Sequence, residues 1–277
     1  LYDRLTKKGA VWAQDFGLES ALWFANSPEN AYEDPTFHRS RAHKYVEREV
    51  KTVRDSVGGI EIANYAKHEF KGPGACDFLD YILAGRIPNP GRINLSPMLT
   101  SKGKLYGDLT VACIKDEYFI LFGSGLMQEA HRRWFENKLP EKGVTYLNRS
   151  DDYHGVAISG PKSRELLNQI TRDDVSKESF KFRDIRMTYV GDVPAIIIRM
   201  SFSGELGYEI YCKPHYLVKL AESIEEAGEG LGFCWYGSRA LLSMRLEKQW
   251  GVWTLDFRPD FTAAESGLDA FISWEKD

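Results

Sequence analysis

Two carboxylates open strand-like runs, where an acid needs a physical reason to be. Asp108 stands just ahead of the alternating run Leu109-Thr-Val-Ala-Cys113, and Glu209 follows a turn bracketed by Gly204 and Gly207, placed at the start of its strand as Asp108 is at the start of its own. Asp is depleted in strands, and a carboxylate that leaves water needs a pairing or hydrogen-bonding partner. Such groups suit two chemistries. A partly buried carboxyl titrates closer to neutrality and can accept a proton from a reacting group. A carboxylate in a cleft can instead take two parallel N–H donors from a flat, amidine-like edge. Spacing alone leaves a plainer alternative open, in which both are solvated or Arg-paired acids at strand ends.

Other signatures fall away. Gly123-Ser-Gly125-Leu-Met-Gln128 follows a strand-like run and opens a helix, but its third position is Gln and no acid closes a strand about 20 residues on, so it reads as a structural loop rather than a dinucleotide site. No Walker lysine pair, His-Glu-x-x-His or Gly-x-Ser-x-Gly occurs. The six histidines, at 38, 43, 68, 131, 154 and 215, show no ligand spacing, and His68 and His154 read as surface or strand positions. Cys76, Cys113, Cys212 and Cys234 stand far apart, so neither a metal site nor a disulfide framework is expected.

A chain of 277 residues with 43% hydrophobic and 27% charged content is globular, long enough for one large domain or two ordinary ones. A net charge of -4 argues against nucleic acid or an anionic membrane held by bulk charge, and favours small molecules or proteins as partners. No apolar run approaches the ~20 residues needed to span a bilayer, and residues 1–9 are not a signal peptide. A cytoplasmic setting is expected, or the mitochondrial matrix in a eukaryote.

The elements that must position the two acids come from an internal repeat. Residues 65–82 line up with 153–170 at an offset of 88 (160 − 72 for the glycine of each Gly-Pro), each copy a strand, a Gly-Pro break and an amphipathic helix. The offset persists, carrying the helical pattern of 127–139 onto 215–227 and the run 144–147 onto 232–235. Between the helices lie the runs 91–100 with 104–111, then 118–122, in the first copy, and 185–190, 195–200 and 206–211 in the second. Each half reads as β-α-β-β-α-β, a ferredoxin-like unit with two helices on one face of an antiparallel sheet. The expected fold class is therefore α+β, with an irregular lead-in over 1–43, a first unit over 44–148, a second over 149–240, and a helix with the start of a truncated segment over 241–277. Residues 42–57 read as a helix stopped by Gly58-Gly59 and followed by a strand. The lead-in carries Trp12, Phe16, Leu18, Leu22, Trp23 and Phe24 among turn-formers. Two units joined face to face would leave a ligand cleft between their sheets.

With these residues in view, the chain resembles the folate-binding aminomethyltransferase family of the glycine-cleavage T-protein, and most closely the C-terminal region of dimethylglycine and sarcosine dehydrogenases. The resemblance runs over almost the whole chain. It is carried by Gly9-Ala-Val-Trp-Ala-Gln-Asp-Phe-Gly17, Leu22-Trp-Phe-Ala25, Lys71-Gly-Pro-Gly74, Gly91-Arg-Ile-Asn94, Met98-Leu-Thr-Ser-Lys-Gly103, Asp108-Leu-Thr-Val111, Ser203-Gly-Glu-Leu-Gly-Tyr-Glu209, residues 239–248 and Glu265-Ser-Gly-Leu268.

The resemblance implies a three-lobed molecule with tetrahydrofolate in its central opening, two lobes being the duplicated unit and the third a C-terminal β-barrel that would follow Asp277. It implies that Asp108 is the catalytic acid beside the folate's reacting nitrogens and that Glu209 grips the pterin edge. Leu95, Arg199, Phe202, Tyr208, Arg239 and Trp250 join Glu209 as cofactor-binding positions. The chain departs from the T-protein pattern at Leu95, which replaces a Tyr ahead of the acid, at Leu241, with Arg239 two positions before it, at Trp250 and at Phe202. In the related dehydrogenases a covalently bound FAD in a separate domain oxidises the amine, and folate captures the resulting iminium or formaldehyde. A flavin-containing domain or subunit is thus an implied partner. Two alternatives stay open: a non-catalytic folate-binding or regulatory module of a larger oxidoreductase, and an RNA-binding protein on the same scaffold, which the chain's lack of an aromatic strand motif and a basic face disfavours.

Overall fold

In the computed structural model, which describes residues 1–15 and 17–276, the offset of the sequence repeat reappears in the backbone. Phe16, expected in the lead-in, and Asp277 lie outside the described residues. In chain order the elements are α1 (Tyr2–Lys7), β1 (Ala10–Asp15), β2 (Leu18–Phe24), α2 (His43–Asp55), β3 (Gly58–Glu61), β4 (Ala66–Lys71), α3 (Ala75–Ile82), β5 (Arg92–Leu99), β6 (Leu105–Lys115) and β7 (Tyr118–Gly123). They continue with α4 (Gln128–Lys138), β8 (Thr145–Asn148), β9 (His154–Ser159), α5 (Ser163–Ile170), β10 (Ile185–Val190), β11 (Val193–Ile198), β12 (Gly207–Cys212), α6 (Leu217–Gly228), β13 (Cys234–Trp235) and α7 (Ser238–Glu247). The shift from α3 to α5 is 88 residues (163 − 75), as is that from β4 to β9 (154 − 66).

The chain divides into two compact units, and neither is continuous. One comprises Leu1–Ala63, His154–Phe182 and Met187–Trp250. Its sheet has the order β10-β11-β12-β9-β3-β13. Helices α5 and α6 cover one face through a core that includes Leu166, Leu220, Ile158, Ile197, Tyr208 and Ile210. The other unit comprises residues 64–153, 183–186 and 251–276, with a sheet of order β5-β6-β7-β4-β8. There α3 and α4 supply Leu79, Phe78 and Phe135 to a core against Phe70, Val111 and Leu121 of the sheet. Each large apolar side chain buried in this way contributes about 1.5–3 kcal/mol.

Four expectations are corrected. The three runs between the helices of each repeat all form strands, with β5 and β10 at the sheet edges, so the pattern is β-α-β-β-β-α-β rather than β-α-β-β-α-β. The region 1–43 is not irregular: α1 precedes an antiparallel hairpin in which Ala10 pairs with Phe24 and Gln14 with Glu19. Residues 44–63 do not open the first repeat. Strand β3 runs antiparallel to β9 and parallel to β13, so it and α2 build the unit that holds the second repeat. Long-range pairing of this kind leaves no local trace in sequence. Gly58 and Gly59 are not a helix stop but the start of β3, since a Cβ on Gly58 would lie 2.7 Å from Val53 and one on Gly59 2.6 Å from the Phe233 ring. Among the described residues no helix is long and apolar enough to cross a membrane.

Candidate functional site

Asp108 lies on β6, and strand alternation decides where it points. Leu109, Val111 and Cys113 enter the core beneath α3 and α4, so Asp108, Thr110 and Ala112 face the other way. The register sets Asp108 opposite Pro97 and Thr110 between Leu95 and Phe122, while Phe122 is opposite Lys67. Opposed residues on neighbouring strands share a face. Leu95, Asp108, Thr110, Phe122 and the fully buried Lys67 therefore occupy one surface of the sheet, opposite α3 and α4.

Asp108 is half-buried, and among the described residues no other side chain hydrogen-bonds its carboxyl. Burial pushes its titration up from the ordinary 3.8 to about 7, against a smaller opposing hydrogen bond from its own backbone. A carboxyl at that value exchanges a proton readily near neutrality.

Glu209 is nine-tenths buried on β12, between Ile198 of β11 and Ala157 of β9. Tyr208 and Ile210 point into the core under α5 and α6, so Glu209 and Tyr211 share the opposite face. There the Tyr211 hydroxyl donates to Glu209 Oε2 at 2.8 Å. Lys248, just past α7, donates through Nζ to the carbonyl of Ser201 at 2.7 Å and lies 5.6 Å from the centre of the Trp250 ring. Desolvation lowers the pKa of that lysine, and the charge of Glu209 partly opposes the shift. The turn that carries Phe202 packs here too, with Gly204 against the Lys248 side chain.

The two acids are not repeat equivalents. At the 88-residue offset the position matching Asp108 in the second copy is Ile196 on β11 (108 + 88), and the one matching Glu209 in the first is Leu121 on β7 (209 − 88). What they share is the face, each lying on the side of its sheet away from the repeat's two helices.

The other expected positions divide. Leu95 shares the Asp108 face, whereas Phe202, through its turn, and Trp250 gather near Glu209. Tyr208 does not join them, because its ring is in the core, stacked on Phe180 at 5.9 Å. Arg199 is held on that same side by donating to the carbonyl of Phe180. Arg239 is in an ion pair with Glu33 at 2.9 Å, and Glu33 also accepts from Trp23. Tyr211, Lys248 and Lys67 were missed. For Tyr211 a signal existed, since counting two residues from Glu209 along a strand stays on one face.

A further buried acid, Glu49 on α2, accepts backbone N–H groups from Phe24 at 2.6 Å and Gly237 at 3.0 Å. Burial raises its titration to about 7, and the two N–H donors oppose the shift. It clamps the end of β2 to the start of α7.

Human mitochondrial dimethylglycine dehydrogenase is similar to this chain, 32% identical over 280 residues that take in 100% of the chain and 32% of that protein. The chain spans 30–32% of the length of the human, rat and mouse dehydrogenases. The aminomethyltransferase of Desulfitobacterium hafniense (strain Y51) is 29% identical over 231 residues, covering 83% of the chain and 63% of that enzyme. Among solved structures, the glycine cleavage system aminomethyltransferase T of Bartonella henselae matches with a TM-score of 0.82 over 99% of this chain and 68% of that one; at 20% identity this shows a shared fold. The family model described as the GCVT N-terminal domain matches residues 1–276, and the chain belongs to that family.

Proposed function

We propose that this chain is a tetrahydrofolate-binding one-carbon-transfer domain. It captures an iminium or formaldehyde unit from a methylated amine as 5,10-methylenetetrahydrofolate, and is the folate half of a dimethylglycine- or sarcosine-dehydrogenase-like enzyme. The observation that carries the reading is Asp108, a half-buried carboxyl without a side-chain partner among the described residues and with a titration raised to about 7. Structural acids are normally paired and titrate low; an unpaired one near neutrality is what proton transfer asks for.

Bound tetrahydrofolate supplies the nucleophilic nitrogens. The chain's residues fit that ligand in kind: Glu209 is a buried acceptor already oriented by Tyr211, suited to two parallel N–H donors of a pterin edge. Asp108 accepts the proton released when a nitrogen attacks the one-carbon unit and returns it to solvent through its exposed side. A positioned group of this kind is worth roughly 10²- to 10⁴-fold in rate. The oxidation that produces the one-carbon unit belongs to a flavin-containing domain or subunit, a partner suggested by relatives named dimethylglycine dehydrogenase and sarcosine oxidase subunit alpha.

Calorimetry with tetrahydrofolate, then a formaldehyde-trapping assay read above the uncatalysed rate, tests the proposal. Glu209→Gln should weaken binding about 10- to 100-fold, the range for losing a charge-assisted hydrogen bond. Asp108→Asn should bind but trap slowly. Binding without any trapping by the wild type would make this a binding module, and no binding would remove folate altogether.

A further inference from the structure

We propose that His131 is the positioning residue for Asp108, acting through a β-bulge that decides which face of the sheet the acid occupies. The inference rests on reading Asp108 as the proton acceptor.

Strand β6 contains one residue too many for its partner. Met98 pairs with Gly107 and Leu99 with Leu105, so Tyr106 has no opposite number. An extra residue of this kind disrupts the ladder locally and re-aims the side chains that follow. Its consequence here is visible in the facing of successive residues. The Tyr106 ring lies 4.6 Å from that of Trp134 and 5.8 Å from that of His131, both on α4. The missing side chain of Gly107 points the same way, since a Cβ there would stand 2.7 Å from His131 Nε2. Two consecutive residues thus face α4. Alternation then resumes with Asp108 on the opposite face and Leu109 in the core. Without the extra residue the parity reverses, and a one-residue slip exchanges the faces of every side chain beyond it.

The strand on the other side does not hold the bulge, because β6 and β7 pair only from Thr110 with Phe122 onward. His131 does. Its Nε2 lies 2.8 Å from the carbonyl oxygen of Tyr106. A carbonyl only accepts, so Nε2 carries the hydrogen and Nδ1 is bare, and Nδ1 is indeed a buried atom with no partner among the described residues. The ring is itself fixed, almost fully buried and edge-on to His68 at 6.1 Å, and His68 Nδ1 in turn meets the Tyr146 hydroxyl at 2.9 Å. Gly107 leaves the space that the imidazole fills.

The test follows the carboxyl carbon of Asp108 by NMR across pH in the ligand-free protein, so it does not depend on folate. His131→Leu removes the donor, His131→Gln keeps an N–H that can reach the carbonyl, and Gly107→Ala displaces the ring while keeping it. In His131→Leu and Gly107→Ala the Asp108 midpoint should rise above about 7 by at least about one pH unit, because the reversed parity turns the carboxyl toward the apolar core beneath α4. His131→Gln should restore most of the wild-type value. In trapping assays the first two should lower kcat with KM little changed. A folded His131→Leu or Gly107→Ala protein whose Asp108 midpoint matches the wild type overturns the proposal. So does a ring-nitrogen spectrum of the wild type that puts the His131 hydrogen on Nδ1, a measurement needing no variant. If tetrahydrofolate fails to bind while Asp108 still responds to His131, the functional reading falls and the positioning contact stands.

Discussion

Replacing Asp108 with Asn should make the fold more stable at pH 8 and leave it nearly unchanged at pH 4. In the folded protein this carboxyl titrates near 7 rather than 3.8 because burial disfavours its charge. Between those values the native state holds a proton that the unfolded chain has released. The associated stability is therefore complete below 3.8 and is lost as pH rises through about 7. At 1.36 kcal/mol per pH unit the ionised form is disfavoured by at most about 4 kcal/mol. Asp108 keeps some contact with water, which screens the charge, and a discounted figure is about 2 kcal/mol. Asn copies the neutral acid in size, so its advantage should grow from near zero at pH 4 to about 2 kcal/mol at pH 8. Urea unfolding of both proteins at pH 4, 6 and 8 measures this, and only the difference between them matters, so Glu49 and the buried histidines cancel. A variant equally or less stable than wild type at pH 8, or a difference that does not change with pH, would refute the claim that burial controls this group. A gain in stability coupled to a loss of trapping is the expected signature of a site kept strained for function.

Removing the Tyr211 hydroxyl with Tyr211→Phe takes away the donor to Glu209 Oε2, and tetrahydrofolate should bind roughly fivefold more weakly by calorimetry, the effect of about 1 kcal/mol; unchanged affinity would detach Tyr211 from the site. Glu49→Ala strands two buried backbone N–H groups, at Phe24 and Gly237, and should lower unfolding stability by about 2–4 kcal/mol, whereas Glu49→Gln keeps one acceptor and should lose about half of that. Equal losses for the two Glu49 variants would mean that the clamp depends on charge rather than on acceptors.

The repeat could be read from sequence because each copy keeps its Gly-Pro break and its helix at a constant offset, and local patterns of that kind are what a sequence displays. The insertion of β3 between β9 and β13 could not, since pairing between residues 101 (159 − 58) and 176 (234 − 58) positions apart in the chain depends on packing rather than on either strand's own residues. The site shows the same division. Glu209 stood out correctly as an acid in a strand, yet the Tyr208 that the resemblance placed beside it as a binding position is its neighbour in the strand, and neighbours in a strand point to opposite faces. Asp108 is the sharper case. Its alternating run from Leu109 onward correctly implies that the acid faces away from the core, but extending the same alternation back through Gly107, Tyr106 and Leu105 gives the wrong facing for Tyr106. Only a bulge reconciles an inward Tyr106 with an outward Asp108. The one residue that betrays it, Gly107, is also the residue that makes room for His131. A glycine interrupting a strand just before a lone acid is therefore informative as a pair. It signals that something approaches the backbone closely on one face while the acid is presented on the other, and His131, dismissed in the sequence for want of ligand spacing, is what approaches.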